Sequence, residues 1–539
     1  MNANTHFDWS AGYPSQRLPV FGRNVVSTSH PLGAQAGLRM LLKGGNAVDA
    51  AIAAAAAMTV VEPVSNGLGS DAFCILWDGR SLHGLNASGR APAAWTPDYF
   101  RRKYGDDAKT PPVRGWDSVT VPGAVAGWVA LSERFGKLPF ADLLAPAIEV
   151  AERGYAVPTV VQQKWSAAVP VLSQQPGFAE TFMPHGRAPN LGELFRFPGA
   201  AKSLRLIADS RGGALYGGEI ADAAARHAAQ HGGSIRVEDF AAYRPEWVEP
   251  IGREYRGHVL HEIPPNGQGI AALIALGILS QFDVERLAVD GVDSQHLQIE
   301  AMKLAFADVY RYVAEPAGME VTAAQLLDDA YLASRAKLID MKRAQDFGAG
   351  NPVKGGTIYL SAADESGMMV SFIQSNYMGF GSGVVVPDYG LSMQNRGHAF
   401  SLAGANAVAP GKRPFHTIIP AFLTRDGQPL MSFGVMGANM QPQGHLQTLV
   451  RMLDYRQHPQ AACDAPRWRF NQGLEINVER SMDPQTVQGL AERGHRMEVI
   501  NDSYQDFGAG QFIWRLGDPG REGYVAASDA RRDGQAVVF

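Results

Sequence analysis

The feature that most constrains this chain is a change of pattern near residue 345. Before it helical periodicity dominates, and after it the pattern turns to strands. Between the two lie Phe347-Gly348-Ala349-Gly350-Asn351-Pro352 and then Gly355-Gly356, a glycine-rich stretch without periodicity that predicts a mobile linker. Directly beyond it, two β-patterned runs, Thr357 to Ala363 and Met368 to Tyr377, flank Asp364-Glu365-Ser366-Gly367, a turn-forming set ending in glycine. The expected product is a β-hairpin that begins at Thr357.

Upstream, Val25 to Ser29 reads as a short strand, followed by a helix from about Pro31 to Lys43 that stops at Gly44-Gly45, and by an alanine-rich helix from Ala47. The stretch from 124 to 160 reads as helical with glycine and proline punctuation, as do Ile220 to His231, Gln268 to Phe282 and Ser294 to Tyr312. Downstream, strands are expected at Gly383 to Val386, Thr417 to Leu423, Leu430 to Phe433 and Phe512 to Arg515, with a helix at Gln443 to Asp454. At 539 residues the chain exceeds what one core usually organises, so either two domains or one large layered unit is expected.

Composition excludes several classes. With 48 basic against 53 acidic side chains and no run of Lys or Arg, nucleic acid is not an expected partner. The two cysteines, Cys74 and Cys463, suit neither a disulfide framework nor a thiolate metal cage, so a cytosolic protein free of metal and cofactor is expected. The first twenty residues lack the apolar run of about 7 to 15 residues of an export signal. The longest apolar stretch, Val48 to Val61, contains Asp49 and falls short of the roughly 20 residues that span a bilayer, so it reads as a buried helix.

The linker–hairpin junction also carries chemistry. A threonine hydroxyl is a poor nucleophile until a base takes its proton, and the α-amino group of the same residue is a base with an ordinary pKa of about 7.7 to 8.0. A threonine inside a chain has no such amine. Gly356-Thr357 offers the bond whose cleavage would create one: a residue without Cβ, able to adopt a strained conformation, followed by a hydroxyl able to attack.

Here the sequence resembles the γ-glutamyltransferase family, whose small subunit starts with a catalytic threonine on a hairpin strand, as in TIYLSAADESGMMVSFIQSNYMGFGSG from Thr357. KGGNAVDAAIAAAAAMTVVEPVSNGLGSDAF (Lys43 to Phe73), SVTVPGAVAGW (Ser118 to Trp128), LLAPAIEVAERGY (Leu143 to Tyr155), PPNGQGIAAL (Pro264 to Leu273), EAMKLAFAD (Glu300 to Asp308) and GANAVAPGKRPFHTIIPAF (Gly404 to Phe422) resemble family segments in family order. The resemblance implies an α+β fold, a four-layer αββα N-terminal nucleophile hydrolase sandwich built from two autoproteolytic segments: a helix-rich large subunit, 1 to 356, and a small subunit, 357 to 539. It implies Thr357 as nucleophile, Ser375 as the hydroxyl orienting it, and the N–H groups of Gly437 and Ala438 in GVMGANMQPQGH as oxyanion donors. The partners implied are a small-molecule amide and the two fragments of one precursor, with a homodimer of processed heterodimers left open.

The chain departs from the family where the acyl group would bind. Ala399 stands where transferases hold the substrate ammonium with an aspartate, and Arg396, beside Asn395 in MQNRGHAF, replaces a neutral glutamine. His416 and Thr417 replace a serine pair that holds the α-carboxylate, and in NASGRAP the family arginine is displaced to Arg90, leaving Ser88 in its place. An ammonium would find few acceptors, whereas Arg90, Arg396 and His416 can donate to a carboxylate. The substrate-binding candidates are therefore Arg90, Asn395, Arg396, His416 and Thr417. The readings left open are a γ-glutamyl amide hydrolase or transferase, an amidase for acyl groups with a carboxylate and no α-amino group such as glutaryl or oxamate amides, and an uncleaved binding protein of the same fold. The short segment from Phe400 to Val408 lacks the length of a lid loop and favours hydrolysis over transfer.

Three other signals read as incidental. His227 and His231 have helical metal-site spacing but no third ligand nearby, Gly379 to Gly383 lacks a full dinucleotide fingerprint, and Ser334 to Lys337 lacks the companion motifs of penicillin-recognising enzymes.

Overall fold

The computed structural model describes residues 17–348, 356–501 and 507–539. The stretch 349–355, where a mobile linker was expected, lies outside the described residues, as do the first 16 residues.

Two seven-stranded antiparallel sheets form the centre. The first runs Gln535–Val538, Val25–Thr28, Gly356–Ala363, Met369–Tyr377, Asp71–Trp77, Leu82–Ala87, Glu246–Val248. The second runs Val20–Gly22, Tyr524–Ser528, Ala509–Arg515, Gln428–Met436, Ala421–Arg425, His258–Glu262, Ile251–Tyr255. Each sheet mixes strands from both sides of the Gly356-Thr357 bond, so the segments 1–356 and 357–539 interleave in one αββα body.

Strand alternation builds the layers. On Gly356–Ala363 the even residues Ile358, Leu360 and Ala362 join the core beneath the helices, whereas Tyr359 and Ala363 join the core between the sheets. Met369–Tyr377 does the same, with Val370 and Phe372 outward and Met369 and Ile373 inward. The outer face of the first sheet is covered by helices Pro31–Leu42, Ala47–Val61 and Ala124–Phe135, with Phe140–Arg153 packed on Ala47–Val61. The second is covered by Ile270–Leu279 and Met440–Leu449, with Val292–Tyr312 packed on Ile270–Leu279. Where the sheets meet, Gly434 lies against the Tyr359 ring, and a Cβ there would stand 2.5 Å from Cε2.

Helix Ala47–Val61 is buried along its whole length, which explains its alanines: only small side chains let the neighbouring helices and sheet approach on every side. Its N-terminus is closed by a capping box between Asn46 and Asp49, and Ala47 N–H donates 2.7 Å to Asp364 Oδ2 in the turn of the hairpin. The hairpin that carries Thr357 is thus fastened to the central helix at its far end. Among the described residues no helix is long and apolar enough to cross a membrane.

Several boundaries differ from expectation. The 124–160 stretch divides into Ala124–Phe135 and Phe140–Arg153, and Tyr155–Ala156 then pairs as a short strand with Leu194–Phe195. Strand Gly383–Val386 shrinks to Val385–Val386, and the strand expected from Thr417 begins only at Ala421. Side chains take the backbone groups of 417–420 instead: Gln268 Nε2 donates 2.6 Å to Thr417 O, and Gln441 Oε1 accepts from Ile419 N–H at 2.8 Å. The helix expected at Gln443 starts earlier, at Met440, and ends in a wider turn over Val450–Asp454.

Candidate active site

Thr357 lies on the inter-sheet face of its strand and is 3% exposed. The ladder is irregular at this point. Gly356 pairs with Tyr377 and Ile358 with Gln374, so two residues, Ser375 and Asn376, stand opposite Thr357. Such a bulge re-aims side chains, and here Thr357 Oγ1 donates to Ser375 Oγ at 3.1 Å. Ser375 Oγ also accepts from Tyr377 N–H at 2.8 Å and from Arg396 at 3.3 Å. Three donors converge on an oxygen with two lone pairs, so the longest bond, from Arg396, is the one most readily given up to an incoming anion.

Arg396 is fully buried on a single turn, Arg396–Ala399. Its other arm donates 2.8 Å to Thr417 Oγ1, and the guanidinium lies 4.2 Å from the centre of the Tyr377 ring. Its Nε meets no acceptor among the described residues. A guanidinium has five N–H donors, so this cation retains capacity beside the threonine. Burial lowers its pKa to about 10, opposed by the negative fields of Asp71 and Tyr377, which leaves it charged at neutral pH.

The balancing acid is Asp71, directly opposite Ser375 in the ladder and also fully buried. His416 Nε2 stands 3.1 Å from Asp71 Oδ2, and Gly123 N–H donates 3.3 Å to Oδ1. His416 Nδ1 accepts from Ile418 N–H at 3.4 Å, which places the ring proton on Nε2, where it is donated to Asp71. Burial and the fields of Arg396 and Arg413 push the His416 pKa well down, so the ring is a neutral donor. Burial raises the Asp71 carboxyl to about 7, opposed by Arg396, by the N–H groups of Gly89 and Gly123, and by Arg413.

Gly437 and Ala438 follow the end of strand Gln428–Met436, both in left-handed conformations, φ +125° and +52°. The second is strained for a residue with a Cβ. Their carbonyls face inward: Gly437 O accepts from Met440 N–H at 2.9 Å, and Ala438 O accepts from Gln441 N–H at 3.1 Å and from Gln268 Nε2 at 2.9 Å. A planar trans peptide sends its N–H the opposite way, so Ala438 N–H points away from the helix that follows. Gln268 bonds both this loop and Thr417 O and ties the two together.

The structure does not bring all the expected residues together. Arg90 is held by Glu246 and Glu315, at 2.5 and 3.3 Å, and by Gly411 O at 2.8 Å. The Asn395 amide is committed to loop structure, accepting from Met378 N–H at 3.1 Å and donating to Val113 O at 2.9 Å. Thr357, Ser375, Arg396 and Thr417 form one hydrogen-bonded chain, and Asp71, bonded to His416, stands opposite Ser375 in the ladder. Asp71 and Gln268 were not singled out from sequence; the available signal was a carboxylate opening an otherwise apolar buried strand, DAFCILW.

Elsewhere, His227 Nδ1 accepts from Trp116 Nε1 at 3.1 Å, a packing contact. The donor atoms of His296, Glu300 and His495 lie within 4.8 Å of one another, as in a metal site. Lys303 Nζ, however, bonds Glu300 Oε1 at 2.7 Å and His495 Nδ1 at 3.3 Å, so an ammonium already occupies the position a metal would need.

Comparison with known proteins identifies the family. The family model described as Gamma-glutamyltranspeptidase matches residues 33–539. The chain is 36% identical to the Glutathione hydrolase-like YwrD proenzyme of Bacillus subtilis, over 96% of this chain and 98% of that one. It is 34% identical to the Oxamate amidohydrolase proenzyme of Klebsiella pneumoniae, over 96% and 99%. Its structure superposes on that of a cephalosporin acylase from Bacillus halodurans with a TM-score of 0.94 and 48% identity, covering 99% of each chain. The chain belongs to the gamma-glutamyltranspeptidase family and is an amide hydrolase with the N-terminal nucleophile fold.

Proposed function

We propose that the chain is made as a precursor that cuts itself between Gly356 and Thr357, and that Thr357 then hydrolyses amides whose acyl group carries a carboxylate and no α-amino group. In the first step Thr357 Oγ1 attacks the Gly356 carbonyl, the peptide shifts to an ester, and water hydrolyses it to release fragments 1–356 and 357–539. The new α-amine is the base that the chain-internal threonine lacked. In turnover that amine takes the Oγ1 proton as oxygen attacks the amide carbonyl, Gly437 and Ala438 N–H groups hold the oxyanion, and the proton passes to the departing amine. Water then releases the acid from Thr357. Ser375 orients the hydroxyl, and Arg396 with Thr417 receives the acyl carboxylate.

The observation that carries this reading is the shared oxygen: Ser375 Oγ meets Thr357 Oγ1 at 3.1 Å and the Arg396 guanidinium at 3.3 Å. A buried cation with unused donors thus lies one hydroxyl from the attacking atom. The name of the oxamate amidohydrolase relative supports it. The glutathione hydrolase-like relative favours a second reading, a γ-glutamyl amide. Steady-state cleavage of glutaryl, oxamate and γ-glutamyl amides separates the two: glutaryl or oxamate turnover exceeding γ-glutamyl turnover supports the first, and an absolute need for the α-amino group supports the second.

A further inference from the structure

Two carboxylates cannot share one buried cation without cost, and the proposed acyl carboxylate would meet an Arg396 that already has Asp71 as its balancing acid. Taking the substrate reading above as its basis, we propose that Asp71 is a positioning residue that takes up a proton when a carboxylate-bearing acyl group docks on Arg396, so that the substrate replaces it as the charge that balances the buried cation.

The surroundings of Asp71 support this from every side. On the neighbouring strand stands Ser375, the hydroxyl shared by Thr357 and Arg396. From the 413–417 segment come Arg413 and His416. Arg413 donates 2.7 Å to Glu246 Oε2 and 3.3 Å to Ser88 O, so its charge is already balanced. His416 is a neutral donor fixed by Ile418 N–H. Tyr216 and Tyr243 also lie within the field of Asp71, but their hydroxyl protons are given to Pro122 O and Ser88 O, at 2.9 and 3.1 Å, and their pKa values are pushed upward. Arg396 is thus the cation that Asp71 balances. Between two acids in one dry site, the proton goes to the one already displaced upward. Asp71 sits near 7, whereas a free alkyl carboxylate ionises at about 4.

The sign follows from linkage. Below about pH 7 Asp71 is already protonated and an anion binds without proton uptake. Above it, each bound anion draws one proton from solvent, and affinity falls up to about tenfold per pH unit until the raised pKa of the occupied site is reached.

The test compares kcat/KM for a glutaryl amide and the matching uncharged pentanoyl amide from about pH 5.5 to about 9, because titration of the Thr357 amine acts on both and cancels in the ratio. The expected ratio is flat below about 7 and falls above it. Calorimetric titration with glutarate near pH 8, in buffers of differing ionisation enthalpy, is expected to show uptake approaching one proton. In Asp71→Asn the uptake disappears and the ratio becomes independent of pH, while glutarate still binds. A pH-independent wild-type ratio, or glutarate binding without proton uptake, overturns the role of Asp71, and the wild-type measurements decide even if the variant fails to fold. Cleavage of γ-glutamyl amides alone, with no glutarate binding, is a different result that overturns the substrate reading itself.

Discussion

Replacing Arg396 with glutamine separates recognition of the acyl carboxylate from the chemistry of the amide. The guanidinium is wholly buried and joins Ser375 and Thr417, with Nε and further N–H groups unused. A hydrogen bond to a charged group contributes about 1.5 to 3 kcal/mol. Two of them to a substrate carboxylate, taken at the lower end because docking also requires Asp71 to be protonated, amount to about 3 kcal/mol, a loss of about 100- to 200-fold. Loss of the cation leaves Asp71 buried without its countercharge, and the carboxyl then stays protonated at neutral pH, so the variant avoids an unpaired buried charge. The assay is kcat/KM for glutaryl and pentanoyl amides of the same amine. The glutaryl value is expected to fall by that factor and the pentanoyl value by less than about fivefold, a difference near 1 kcal/mol. Equal losses on both substrates would refute the argument, because they would mean that Arg396 serves the nucleophile rather than the acyl group.

Ser375→Ala removes the acceptor of Thr357 Oγ1 and leaves Tyr377 N–H and one Arg396 arm unsatisfied; self-cleavage and turnover are expected to slow by about 10- to 100-fold, read from the time course of fragment formation on denaturing gels. Gly434→Ala sets a Cβ 2.5 Å from the Tyr359 ring between the two sheets. It should cost about 1 to 3 kcal/mol in urea unfolding, and unchanged stability would contradict the inter-sheet packing described here. Asp529→Asn strips the charge from a buried carboxylate bonded to Arg467 at 2.8 Å and Arg531 at 3.1 Å, with an expected loss of about 3 to 5 kcal/mol. Burial pushes the Asp529 pKa upward, but Arg531 and Arg467 outweigh it and hold the carboxyl well below the usual range. Its contribution is therefore fully present above the unfolded value of about 3.9 and lost as pH falls below it, so wild type and variant should converge in acid thermal melts.

Much of this was legible in the sequence because it is written in local periodicity. The hairpin after residue 356 and the helix from Ala47 follow from alternation and capping, and they fix which face Thr357 occupies. The strand expected at Thr417 was misplaced because glutamine side chains from distant elements, Gln268 and Gln441, replace the ladder there. Ala438 gave no sign of its left-handed conformation, since its residue type ordinarily avoids it. Asp71 was not singled out although it is a lone acid in an apolar strand, because its partner His416 lies 345 positions away and only the fold could show that the two meet. Arg90 illustrates the opposite failure: its chemistry suited a carboxylate, and the fold supplies two from the protein itself, Glu246 and Glu315.

The most direct test of the central claim is intact mass spectrometry of the purified protein beside its Thr357→Ala variant. Two fragments in the wild type, the smaller beginning at Thr357, together with a single uncut variant chain, are the predicted result. An intact wild-type chain, or fragments of the same mass in the variant, would contradict a mechanism in which Thr357 frees its own amine and then uses it.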